Sequence, residues 1–243
     1  AAFLKTHHPA EFMAATMTSE MRRADRITVL IDEVKSLGLK IAPPDINNPR
    51  SEFGVRDGDI VFGMGAVKGV GSGAIDIIAG CREELGRDFT DLFDLAEHVD
   101  LHKVNRKVLE GLINAGAMDR LPGHRNQPLQ NVEKAIAFGQ KTARDRAGGQ
   151  ASLFGGGSDA GAVLKPTMEE CEPFDPLVEL SKERAAVGFF LSGHPFEEYR
   201  EVVDSLPVRL AVDDPDAFAE ELAQILASRA IADPSLATEL FAF

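Results

Sequence analysis

Apolar positions recur at helical spacing through the first 37 residues. Phe12, Met13, Met17 and Met21 share one stripe, and Ile27, Leu30, Ile31 and Val34 repeat it, which is the periodicity of amphipathic α-helices. Pro9 suits a first helical turn and Gly38 a C-terminal cap. The pattern then changes. In LKIAPPDINNP, residues 39–49, the prolines followed by Asp and Asn forbid a helix and predict an extended, turn-rich crossing. EFGVRDGDIVF, residues 52–62, alternates around Asp57-Gly58, the signal of a two-stranded hairpin. In residues 63–80, GMGAVKGVGSGAIDIIAG, a short helical segment meets Gly69-Val70-Gly71-Ser72-Gly73 and an apolar helix follows from Ala74. VNRKVLEGLINAGAMDRLPGHR, residues 104–125, predicts a helix, a small-residue turn at Ala115-Gly116-Ala117 and a break at Pro122-Gly123. One further helix is predicted over roughly 126–146, and another over Glu179 to Phe190, stopped by Ser192-Gly193-His194-Pro195. Residues 214–243 are acidic, alanine-rich and helix-prone. The fold class expected is mainly α, with one small β-hairpin.

Composition narrows the function classes. A chain of 243 residues that is 44% hydrophobic can bury one or two cores. Its two cysteines, Cys81 and Cys171, have no partner spacing, so neither a disulfide framework nor a zinc site is indicated. No apolar run approaches the ~20 residues that span a bilayer, and no signal-peptide pattern opens the chain. A reducing, cytoplasmic setting without a membrane partner is expected. The chain starts at Ala1, inside a predicted helix, and is expected to be a piece of a longer one. The net charge of -13 argues against nucleic acid, but its distribution does not. Residues 101–147 carry nine basic and four acidic side chains, while residues 148–243 carry six basic and eighteen acidic. A basic island between acidic flanks suits either a phosphate-contacting surface or a solvated helix rich in Lys and Arg.

The glycine-rich turn at residues 69–73 gives that island a chemistry. Glycines let the backbone approach another group closely, and the helix N-terminus behind them offers unpaired N–H groups at a positive dipole end. The combination cradles an anion. A free-nucleotide loop is the competing reading, but the chain lacks both the Gly-Lys-Ser/Thr ending of a P-loop and a strand–turn–helix dinucleotide unit. A tight interhelical turn without ligand is the plain alternative. Two short helices about such a turn form a helix-hairpin-helix, which holds a DNA phosphate without reading bases. The turn at Ala115-Gly116-Ala117 predicts a second, degenerate copy. Lys68, Gly69, Val70, Gly71, Ser72 and Gly73, with Lys103, Arg106, Lys107 and Arg125, are the expected phosphate contacts, and Lys134, Lys141, Arg144 and Arg146 follow on the next helix. Stacking aromatics are missing from this stretch, which favours duplex over single-stranded DNA. Downstream, GGQASLFGGG (residues 148–157) holds Leu153 and Phe154 on a glycine-rich, flexible linker. The pair either folds back or is held out for another protein.

Five blocks, LKTHHPAEFMAATM (4–17), GLKIAPPDIN (38–47), FGMGAVKGVGSGAI (62–75), NRKVLEGLINAGAMDRL (105–121) and GFFLSGHPFEEY (188–199), resemble in this order the bacterial replicative DNA polymerase III alpha subunit family. His8 stands where that family usually has a tyrosine. The resemblance covers about residues 1–205. It implies the end of a fingers domain over 1–60, a tandem helix-hairpin-helix domain over 61–147, and a linker with a clamp-binding peptide over 148–175. It also implies a helical segment over 176–205 that leads toward an oligonucleotide-binding domain, whose strands do not appear here, and residues 206–243 are left unassigned. Gln150-Ala151-Ser152-Leu153-Phe154 matches the peptide by which this family holds the ring-shaped beta sliding clamp. Leu153 and Phe154 would each contribute about 1.5–3 kcal/mol on burial, and Gln150 would orient the peptide by hydrogen bonding.

The implied partners are double-stranded primer-template DNA, the beta clamp and other polymerase III holoenzyme subunits, in a nucleoid-associated setting. The intact subunit is expected to be a DNA-directed DNA polymerase using Mg2+. The palm aspartates that hold its metal ions lie upstream in the family, so this chain alone is expected to be inactive and to carry no catalytic residue, metal or cofactor. Lys5, His7 or His8 could approach an incoming nucleotide, although helix surface is the plainer role. Two other readings remain open: an error-prone paralogue of the same polymerase, whose members generally lack a good clamp peptide, and a non-catalytic helix-hairpin-helix repair protein.

Overall fold

Helices dominate the chain because its apolar stripes are helical and its strand signals are only a few residues long. The computed structural model describes residues 2–147 and 165–193. Helices α1 (Ala2–His7), α2 (Pro9–Glu20) and α3 (Ala24–Ser36) come first. The stretch expected to be helical throughout is thus broken twice, at His8 and at residues 21–23. Pro9 takes the first-turn position of α2, where its missing N–H is not needed. Met13 and Met17 of α2 and Ile27, Ile31 and Val34 of α3 are buried together, and Gly38 leaves α3 with φ +73°.

Strands β2 (Gly54–Arg56) and β3 (Asp59–Val61) form the antiparallel hairpin expected around Asp57-Gly58. Both turn residues have positive φ, 53° and 86°. The sheet nonetheless has three strands. β1 (Ile41–Ala42), inside the stretch expected to be an irregular crossing, pairs in parallel with β3 and gives the order β1-β3-β2. The prolines at 43 and 44 come just after it, so they end the strand without preventing it. The domain boundary expected at residue 60 falls inside β3. The Ile46 N–H donates to Ala117 O, Asn47 exchanges hydrogen bonds with the Phe89 backbone, and Arg120 pairs with Asp45. Residues 38–62 are therefore packed against the helical segments downstream, and the described residues through Ser192 form one unit.

A 3-10 turn (Met64–Ala66) leads into α4 (Ser72–Leu85), α5 (Leu92–His98), α6 (Arg106–Asn114), α7 (Asn126–Gln130), α8 (Val132–Ala147) and α9 (Pro176–Val187). Asp91, Asn105 and Asp175 cap α5, α6 and α9 by accepting backbone N–H bonds. The single helix expected over 126–146 is two helices. Asn131 sits between them, where its amide N–H and its carbonyl bond to different turns. The last helix is shifted from its expected span, because Asp175-Pro176 starts it early and Gly188, at φ +101°, ends it before the Ser-Gly-His-Pro stop. α5 and α8 cross at closest approach over Gly139, where an added Cβ would lie 2.1 Å from Ala96 O. No helix among the described residues is long and apolar enough to cross a membrane.

Candidate nucleic-acid interface

The first hairpin is anchored by its apolar residues and leaves its backbone outside. Val67 and Val70 are 2% and 6% exposed, whereas Lys68, Gly69, Gly71, Ser72 and Gly73 are exposed. The turn closes through Val70 N–H to Val67 O at 3.1 Å, with Gly69 at φ +80°. α4 then starts from Gly71 in extended conformation, with no side chain capping it. The amides of Gly69, Gly71, Ser72 and Gly73 donate to no group among the described residues. A Cβ on Gly71 or Gly73 would meet nothing within 4 Å. Unpaired N–H groups, an open approach and the positive end of a fourteen-residue helix thus coincide, the requirements of an anion cradle.

The side chains around this loop come from elsewhere in the chain. Lys107 of α6 lies against it, and a Cβ on Gly69 would fall 2.8 Å from Lys107 Cε. Lys103 is exposed on the turn before α6. Lys68, Lys103 and Lys107 have no ion-pair partner among the described residues. Behind the loop, Lys68 N–H donates to Ala186 O at 2.8 Å. The end of α9, more than a hundred residues downstream, is therefore part of the hairpin's support.

The rest of the basic island is largely ion-paired at the surface. Arg106 bonds Glu110 at 2.6 Å and also pairs with Glu133; the Glu110 hydrogen bond, then the charges of both carboxylates, raise its pKa. Lys134 pairs with Glu169, and Arg146 with Glu97. Arg144 bonds the carbonyl of Gln140, and Lys141 stays exposed and unpaired among the described residues.

Arg125 is the clearest correction. Expected to be a phosphate contact, it is buried, with its side chain 4% exposed, between Asp119, Glu179 and the fully buried Glu183. Burial alone would lower its pKa, but the hydrogen bond to Asp119 and the surrounding carboxylates raise it. The second hairpin is degenerate in the same physical sense. Ala115, Gly116 and Ala117 are buried, and a Cβ on Gly116 would strike Arg125 at 2.7 Å and Asp119 at 2.8 Å. The protein's own guanidinium and carboxylate fill the place that a phosphate would need. Glu183 completes this cluster and accepts the Leu191 and Ser192 amides, yet it carries no signal in the sequence. It lies 58 residues from Arg125, and no local pattern distinguishes it from a surface glutamate.

Lys5 pairs with Glu33 of α3, and His7 stacks on Phe3 with ring centres 4.4 Å apart, as helix-surface side chains do. Among the described residues no group of three or more His, Cys, Asp and Glu side chains could hold a metal ion. The peptide Gln150-Ala151-Ser152-Leu153-Phe154 lies outside the described residues.

A family model described as a helix-hairpin-helix motif matches residues 38–128, which includes the three-stranded sheet. The chain is 45% identical over 198 residues to DNA polymerase III subunit alpha of Pasteurella multocida, covering 81% of this chain and 17% of that protein. It is 45% identical over 205 residues to the same-named protein of Haemophilus influenzae, with the same coverage. The Escherichia coli K12 protein of that name is 41% identical over 203 residues, covering 83% and 17%. The chain therefore spans about a sixth of the length of these relatives.

Proposed function

Taking as premise that this chain belongs, as a segment, to the bacterial DNA polymerase III alpha subunit family, we propose that it serves template-directed DNA synthesis in chromosome replication by gripping duplex DNA and tethering the polymerase to its clamp. The observation that carries the DNA half is the first hairpin, where four unpartnered amides at a helix N-terminus stand beside Lys68 and Lys107. Such a surface binds the phosphate backbone without reading bases. The buried second turn supports a one-sided grip, with the first hairpin and Lys103 carrying the contact. Gln150 to Phe154 is the proposed clamp peptide, on the strength of its sequence and its position just after α8. Polymerisation and the Mg2+ it requires belong, on this reading, to parts of the longer protein outside this chain. Among the described residues no group of side chains fits a metal site, and no catalytic step is assigned to them.

The relatives' shared name, DNA polymerase III subunit alpha, favours the replicative subunit over an error-prone paralogue. The five family blocks and the extent of the match disfavour a repair protein that shares only its hairpins.

Two binding experiments test the halves separately. Duplex affinity measured against salt should fall steeply, and Lys107→Ala should flatten the slope of log K against log salt by about 1. An unchanged slope would remove Lys107 from the contact. Surface plasmon resonance against purified bacterial beta clamp should give binding that is lost in the Leu153→Ala, Phe154→Ala double variant. No binding by the unmutated chain would return residues 148–157 to the status of a linker and reopen the error-prone paralogue.

A further inference from the structure

Beside the first hairpin, and sharing Lys68, Gly69 and Val70 with it, lies a solvent-open groove of about 300 Å³. Its floor joins parts of the chain far apart in sequence: Met21 and Ile27 from α2–α3, Val70 from the hairpin, and Val187 and Phe189 from the end of α9. Arg22 and Lys68 stand along it, and no carboxylate lines it. Neither cation has an ion-pair partner among the described residues. Gly69, whose N–H is unpartnered, belongs to the groove and to the cradle alike.

These features define a ligand by its chemistry. Two cations and no acid call for an anion, while the aliphatic and aromatic floor calls for an apolar or π face on the same molecule. The groove is too large for a phosphate alone and too small for more than roughly one nucleotide. Its continuity with the hairpin through Lys68, Gly69 and Val70 points to a strand already held there. We propose that the groove accepts one unpaired nucleotide of a DNA strand, with its phosphate at Lys68 and Arg22 and its base against Met21 and Ala66, the half-buried part of the apolar lining. This rests on the reading of the first hairpin as a phosphate cradle and adds to it a preference for a duplex end over a continuous duplex.

The test compares a labelled blunt duplex with the same duplex carrying a one-nucleotide overhang, bound to the full chain. One docked nucleotide is expected to tighten binding by roughly fivefold. Ala66→Phe, placed on the groove wall, and Arg22→Ala should abolish that difference and leave blunt-duplex affinity unchanged. Equal binding of the two duplexes by the unmutated chain overturns the groove and leaves the cradle standing, whereas loss of all duplex binding overturns both. Independently of any duplex, NMR titration with thymidine monophosphate should shift the Met21 and Ala66 methyl signals, and inorganic phosphate should not. Equal shifts from both, or none from the nucleotide, overturn the proposal.

Discussion

Arg125 holds together three carboxylates from two distant stretches of the chain, and it has little access to solvent through which to rearrange. Arg125→Ala would leave Glu183 charged and buried, retaining only its backbone amide donors. Removal of one partner from a buried pair costs about 3–5 kcal/mol. Chemical denaturation should show that loss, while the salt slope of DNA binding by the folded variant stays unchanged. A phosphate ligand would give the reverse. Asp94 makes a second residue-scale case. It accepts two bonds from Arg87, at 2.6 and 2.9 Å, and another from Thr90 N–H. The Arg87 hydrogen bonds dominate and hold its carboxyl well below the ordinary 3.8. A depressed carboxylate stabilises the fold above its unfolded pKa, and that contribution is lost as pH falls below about 4 toward the folded value. The Tm gap between the wild type and Asp94→Asn should therefore be full at neutral pH and shrink in acid. A gap that stays constant down to about pH 2 would show that ionisation of Asp94 is not what stabilises the fold.

Among elements, the α5–α8 contact is set by a missing side chain. With Ala96 O only 2.1 Å from where a Cβ would sit on Gly139, Gly139→Ala must push the helices apart, at a cost of about 1–3 kcal/mol. Gly80, inside α4 with nothing within 4 Å of its Cβ position, is the control. Gly80→Ala should be neutral or stabilising by up to about 1 kcal/mol. Paired thermal melts of the two variants would check both. Local chemistry makes many elements legible in the sequence. Pro9, Asp57-Gly58 and Gly38 carry their backbone geometry with them, and Ile27, Leu30, Ile31 and Val34 show their buried face by spacing alone. What cannot be read depends on distant partners. β1 is a strand because β3 lies beside it, and Asn131 divides a helix where its side chain also bonds the Glu169 backbone. At the end of α9 the left-handed cap at Gly188 acts before the expected Ser-Gly-His-Pro stop is reached.

At the scale of the whole molecule, the candidate site is half legible for the same reason. A glycine turn before a helix advertises free amides locally, so the first hairpin is visible in the sequence. Whether a given Arg or Lys is ion-paired depends on which carboxylate the fold delivers to it, and the five pairings of Arg106, Arg120, Arg125, Lys134 and Arg146 reach as far as 75 residues. Residues 165–183 are likewise bound back by several contacts at once: Lys165 to Asp91, Glu169 to Asn131 and Lys134, Cys171 O to His124, Glu172 O to Asn126, and Glu183 to Arg125. Those contacts make no use of the peptide bonds between Ala147 and Lys165. Expressed as two separate polypeptides, residues 1–156 and 157–243 should find each other and co-purify as a folded pair, and Arg125→Ala in the first should weaken that association. In such a split protein residues 148–156 become a free carboxy-terminal end that carries Gln150 to Phe154 whole, so a clamp that still bound would need only the short peptide, not a chain that continues beyond it.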